Sequence, residues 1–227
     1  MPQKNAIKIY VEDSYYHIYN RGVEKRNIFM DEMDYNIFIN YLKEYLSPPE
    51  DETKTKLVSK PDLQGEVLQP ITRRVKNYHK EIELLAYCLM PNHFHFLIKQ
   101  NSKEAMKEFM RSLGTRYSMY FNKRHDRIGS LFQGTYKAVM INDEKQLLHL
   151  SRYIHVNPYP GDIVNAYSSY KDYLQTKKTP WVKTKMILSI FNNPNLDEIF
   201  LKKNNYKDFV ESDAKSKEAL GKLTLED

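Results

Sequence analysis

Apolar and polar positions change their period several times along the chain, and each change predicts an element. Tyr15 to Asn20, rich in aromatic and β-branched residues, predicts a strand. The spacing then lengthens: Met33, Ile37, Phe38, Tyr41, Leu42 and Tyr45 recur as on a helix, with Asp31 as its cap and Ser47-Pro48-Pro49 as its end. Residues 47–80 are polar, carry Pro48, Pro49, Pro61 and Pro70, and read as an insertion. Two apolar runs follow, Leu84 to Met90 and His93 to Ile98, joined by the turn chemistry of Pro91-Asn92, which predicts a hairpin. A helix is expected from about Ser102 to Asn122, with Met106, Phe109, Met110, Leu113, Tyr117, Tyr120 and Phe121 on one face, and then a strand from Thr135 to Ile141. The next helix has Leu147, Leu150 and Ile154 as its apolar stripe, Asn142 as its expected cap, Asp143 and Glu144 at its positive end, and Pro158 as its stop. Beyond Pro160, Ile187 to Phe191 and Asp197 to Val210 predict short helices, and Lys215 to Asp227 a charged, frayed tail.

The order β-α-β-β-α-β followed by one more helix defines an α+β class: a ferredoxin-like (RRM-like) antiparallel sheet with helices on one face. Residues 1–160 are expected to form this domain, interrupted by the 47–80 insertion, and residues 161–227 a small helical extension. On a strand, residues two apart face the same way, so His93 and His95 project together while Phe94 and Phe96 enter the opposite layer. Two imidazoles on one rigid face can hold a metal, although a His-x-His in an apolar strand is more often a pair of packed or partly exposed histidines. A second constellation, Tyr153-Ile154-His155-Val156-Asn157-Pro158, closes the last helix of the domain. At 100° per residue Tyr153 and Asn157 lie about 40° apart on one flank, so a phenol and a carboxamide point to one spot. With 18 tyrosines in the chain, Tyr153 taken alone would be read as packing; the pair, set against the histidines, is more specific.

Composition narrows the classes. At 227 residues the chain can bury one good core with an appendage. It has no run of about 18 apolar residues, and its basic start has no apolar signal core behind it, so a soluble, cytoplasmic protein without membrane contact is expected. Cys88, the one cysteine, excludes an intrachain disulfide and a cysteine-based zinc site, and reads as a small core residue. The net charge of +6 is concentrated: residues 103–152 hold ten Lys or Arg against five acids, and Arg73, Arg74, Lys76 and Lys80 form a cluster without an acid. Solvated helix faces account for about half of such clusters. Interleaved Tyr117, Tyr120, Phe121 and Tyr136 favour phosphate contact with base stacking for the rest, although each of these aromatics taken singly reads as core. Candidate DNA contacts are Arg73, Arg74, Lys76, Arg116, Lys123, Arg124, Arg127, Lys137 and Arg152.

Four ordered segments carry a resemblance: Tyr16-His17-Ile18-Tyr19-Asn20-Arg21-Gly22, Leu85 to His95, Phe132-Gln133-Gly134-Thr135-Tyr136-Lys137-Ala138, and Arg152 to Pro158, with a weaker echo in Tyr167-Ser168-Ser169-Tyr170. Over residues 14–160 the chain resembles the HUH single-tyrosine transposases, and among them most closely the REP-associated tyrosine transposases. The resemblance implies that His93 and His95 are metal ligands, Tyr153 the nucleophile and Asn157 a third ligand, in an endonuclease and strand transferase that forms a 5′-phosphotyrosine on single-stranded or hairpin DNA. Chemistry supports the same roles. A phenol with an ordinary pKa of about 10 needs charge stabilisation to attack a phosphate. Two imidazoles, an amide oxygen and water suit Mg²⁺ or Mn²⁺ better than a closed zinc site. The resemblance leaves open a homodimer in which the tyrosine serves another copy. A histidine-triad hydrolase is disfavoured, since Leu97 stands where a third histidine is needed. A non-catalytic nucleic-acid-binding module on the same fold, and a replication or conjugation nickase of the HUH type, are the remaining alternatives.

Overall fold

A computed structural model describes residues 10–49, 76–158, 161–192 and 205–212. The sheet is built from β1 (Ser14–Arg21), β2 (Ile82–Met90), β3 (His93–Gln100) and β4 (Lys137–Ile141), in the order β2-β3-β1-β4 with every pair antiparallel. Between them lie α1 (Glu32–Leu46) and α2 (Ala105–Arg124), and after β4 comes α3 (Glu144–Val156). This is the expected β-α-β-β-α-β ferredoxin-like order with an added helix.

The period of two divides the sheet into two cores. Tyr16, Ile18, Phe94, Phe96 and Ile98 face α1 and α2, in a core that also buries Phe38, Leu42, Phe109, Leu113 and Tyr117. The alternate residues face α3: Leu97 from β3, with Leu85, Ala86 and Cys88 from β2, packs on Leu147, Leu148, Leu150 and Ile154. Helices therefore cover both faces, not one as expected. The reason is that β2 is apolar on both sides and Leu97 of β3 extends its second face, and a sheet with apolar residues on both sides must be covered twice. A β-bulge between Leu84 and Ala86 puts the neighbours Leu85 and Ala86 on the α3 side. Cys88 is fully buried there, and burial pushes its thiol pKa up.

Helix α1 starts where the sequence places it. The Asp31 side chain accepts the Asp34 amide at 3.2 Å, and the Ser47-Pro48-Pro49 break follows Leu46. Asp34 is fully buried and collects the Met30 amide, the Tyr120 hydroxyl, Arg124 and His125 at 2.6–3.0 Å. It thereby ties the start of α1 to the end of α2. Asp34→Ala leaves these donors without their acceptor and is expected to cost about 3 kcal/mol, read as a lower midpoint in urea unfolding at unchanged slope. Helix α3 is capped by Asp143, not Asn142: the Asp143 carboxylate accepts the Gln146 amide at 2.8 Å, while the Asn142 amide donates to Gln146 Oε1 at 3.3 Å. A carboxylate is the stronger partner for the positive end of the helix.

The expected insertion falls mostly outside the described residues, but its stems are pinned together. Asn77 Nδ2 donates to the carbonyls of Glu44 and Ser47, and Tyr78 is buried against Tyr45 and Phe109. The C-terminal part packs on the domain. Helices α4 (Tyr170–Tyr173), α5 (Lys185–Phe191) and α6 (Tyr206–Glu211) share the second core with α3. Residues 167–169 and 181–183 cover the outer edge of β2, through Leu89 N to Tyr167 O, Ser169 N to Tyr87 O and Lys183 N to Leu84 O. The helix expected from Asp197 is described only from Tyr206, capped by Asn205, and the expected charged tail lies outside the described residues. Among the described residues no helix is long and apolar enough to cross a membrane.

Candidate active site

His93 opens β3 directly after the Pro91-Asn92 turn, and that turn is fixed from below. The Pro91 carbonyl accepts the amides of Ile28 and Phe29, and the Asn92 carbonyl accepts the amide of Gly22. Gly22 is required there, because a Cβ would fall 2.2 Å from the Arg26 carbonyl. His95 lies two residues further in, opposite Tyr19 of β1 and Cys88 of β2. The two imidazoles share the α3 face, with ring centroids 5.0 Å apart.

Helix α3 crosses this face. Tyr153 is buried with its ring edge-on to His95 at 5.3 Å and to His17 at 6.0 Å. One turn on, Asn157 caps the helix and brings Oδ1 to 3.1 Å from His93 Nε2. The structure thus brings His93, His95, Tyr153 and Asn157 into one cluster within a single chain.

The hydrogen bonds around the cluster decide what it can hold. His93 is held at both ring nitrogens by amide side chains, with Nδ1 2.6 Å from Asn92 Oδ1 and Nε2 3.1 Å from Asn157 Oδ1. His95 Nδ1 is occupied by His17 Nε2 at 2.9 Å, while His95 Nε2 and Asn157 Nδ2 are buried without a hydrogen-bond partner among the described residues. Desolvation holds His95 well below the usual histidine range, helped by His17 and His93, so the ring is neutral. The C-terminal end of α3 adds the negative pole of its dipole. Two imidazoles and one carboxamide thus meet in one cluster, and these are donor types that a hard or borderline divalent cation accepts. No group of three or more His, Cys, Asp and Glu side chains is placed to hold one among the described residues.

The basic residues separate into groups. Arg116 is paired with Glu44 at 2.7 Å and lies over the Tyr41 ring; Arg124 holds Asp31 and Asp34; Lys76 pairs with Glu108 at 2.9 Å. Arg127 braces its own loop through Asn122 and Ser130. Arg152 is buried, with its guanidinium over the Phe209 ring at 4.8 Å, because α6 covers this side of α3. Lys123 is exposed, and Lys137 lies 5.7 Å from the Tyr19 ring centroid on the strand beside β1. Arg73 and Arg74 lie outside the described residues.

Sequence reasoning assigned no role to two residues near the cluster. His17, fully buried, touches His95 directly. His155, also fully buried, links Tyr206 and Ser169 at 2.9 and 2.8 Å and so bolts α3 to the C-terminal helices; desolvation pushes it down to about 3. The sequence signal for His17 is its place in the Tyr16 to Gly22 segment.

The comparisons with known proteins give this fold a family. Residues 10–157 match the family described as "Transposase IS200 like", and the chain belongs to that family. It is similar to a solved REP-associated tyrosine transposase bound to a REP hairpin, at 11% identity over 82% of this chain and 93% of that one, with a TM-score of 0.48. It is also similar to a "putative transposase" from Deinococcus radiodurans R1, at 12% identity over 68% of this chain and 95% of that one, with a TM-score of 0.36. A comparison with curated proteins gives no match.

Proposed function

We propose that this transposase is a single-strand DNA endonuclease and strand transferase in which Tyr153 is the nucleophile and His93, His95 and Asn157 hold Mg²⁺ or Mn²⁺. The observation that carries the reading is the meeting of three ligand-type side chains beside a tyrosine: His93 Nε2 lies 3.1 Å from Asn157 Oδ1, and His95 Nε2, buried without a hydrogen-bond partner among the described residues, belongs to a ring edge-on to Tyr153. The divalent cation would supply charge to polarise the scissile phosphate and orient it for in-line attack. Because the donor set holds no carboxylate, charge neutralisation is left to the DNA phosphate.

In the transesterification a bond forms from Tyr153 Oη to phosphorus, and the bond from phosphorus to the 3′-oxygen breaks. The phenol proton leaves to solvent, and the departing oxygen takes up a proton to become a 3′-OH. One phosphoester replaces another, so the 5′-phosphotyrosine retains the energy for strand transfer and no ATP is required. Tyr153 lies against His95 of its own chain, which supports action within one subunit. A purely binding module would have no use for this cluster.

The substrate reading is hairpin DNA with a single-stranded flank, in line with what the REP-associated relative is bound to and with the basic surface of this chain. A salt titration comparing a flanked hairpin, a linear single strand and a duplex tests it. The flanked hairpin is expected to bind most tightly, with affinity falling steeply as counterions are released. Lys123→Gln should lower the slope of log K against log salt by about 0.7–0.9 if it meets one phosphate. Equal affinity for the three DNAs would remove the substrate assignment.

A further inference from the structure

His17 lies on β1, where its direct cross-strand partner is Leu97, so it meets His95 along the diagonal. The contact is a hydrogen bond in the plane of the rings: Nε2 of His17 is 2.9 Å from Nδ1 of His95, with centroids 5.1 Å apart and ring planes tilted by only 23°. Face-to-face stacking would not bring two ring nitrogens this close at that centroid distance. Both residues are almost wholly inaccessible to water, and Tyr19 packs on the same pair at 5.0 and 5.9 Å.

One proton lies between these nitrogens, and its position decides what His95 can do. If His17 donates, His95 Nδ1 is an acceptor and the neutral ring must carry its hydrogen on Nε2, where it would be buried without an acceptor and useless to a cation. If His95 donates from Nδ1, the orphaned hydrogen falls instead on the buried Nδ1 of His17, so the cost is the same, but His95 Nε2 is left as a lone pair beside His93 and Asn157 that a cation can use. We propose that His17 is a positioning residue that accepts this proton and so fixes both the tautomer and the orientation of His95 as a metal ligand. The inference rests on the metal-site reading above and adds to it the group behind the ligand. Outer partners of this kind commonly govern affinity by 10- to 100-fold.

The test uses the full chain without DNA and measures Mn²⁺ binding by calorimetry. His17→Phe keeps a planar ring in the space but removes the acceptor, and is expected to weaken Mn²⁺ by about 10- to 100-fold. His17→Gln, whose amide oxygen can take the His95 proton, is expected to restore binding to within a few-fold of wild type. Unchanged binding in a folded His17→Phe, or equal losses in both variants, would overturn the inference. If the wild type shows no Mn²⁺ binding that depends on His95, the metal-site reading falls with it, so the two failures are distinguishable. Long-range proton–nitrogen NMR of the metal-free wild type needs no variant. It should show His95 protonated on Nδ1 and bare on Nε2, and the opposite tautomer would contradict the assignment.

Discussion

Replacing His95 by alanine is expected to remove metal-dependent cleavage by about 10³-fold or more while leaving affinity for single-stranded DNA nearly intact. His95 presents one orphaned nitrogen, Nε2, to the cluster, and its other nitrogen is already taken by His17. Loss of the ring therefore removes a donor that no neighbouring side chain can replace, and a cation's stabilisation of phosphate charge is worth several kcal/mol, or a factor of ten for each 1.4 kcal/mol. DNA affinity is expected to persist because the ring is fully buried and is not among the proposed phosphate contacts. His93→Ala should behave alike. The check is a cleavage assay over a range of Mn²⁺ concentrations alongside a binding assay at fixed salt. Partial rescue at high Mn²⁺ fits a weakened site, and full activity at every concentration would remove His95 from it.

The second large effect concerns the nucleophile. Tyr153→Phe removes one oxygen and nothing else: the ring keeps its edge contacts with His95 and His17, and α3 keeps its packing. The variant is expected to lose all cleavage and all covalent protein–DNA product, while folding and binding single-stranded DNA as the wild type does. Tyr136 is a poor substitute, since its hydroxyl is held by Tyr10 at 2.5 Å and burial drives its pKa up. A denaturing gel with labelled hairpin DNA reads this directly.

Much of the fold was legible because its signals are local. The Asp31 cap with its Ser47-Pro48-Pro49 stop, the turn at Pro91-Asn92, and the alternation that sends Phe94 and Phe96 into one core and His95 toward α3 all follow from residues within a few positions of one another. The same local periods put His93 with His95 and Tyr153 with Asn157 on shared faces. What stayed hidden depends on partners distant in sequence. His17 reaches His95 only because β1 pairs with β3 in a register that makes them diagonal neighbours, and no local pattern carries that register. The covering of the second sheet face, and with it the burial of Arg152 and His155, required knowing that α5 and α6 fold back onto α3. The cap of α3 shifted by one position, from Asn142 to Asp143, because adjacent polar residues compete for the same amides.

The most direct measurement of the central claim is mass spectrometry of the covalent product. Wild-type protein is incubated with Mn²⁺ and a flanked hairpin, and the adduct is digested with nuclease and protease. The account predicts a single modified peptide with phosphate on Tyr153, formed only with the metal and missing from the His95→Ala protein. A phosphate on any other tyrosine, or an adduct that forms equally without a divalent cation, would contradict it.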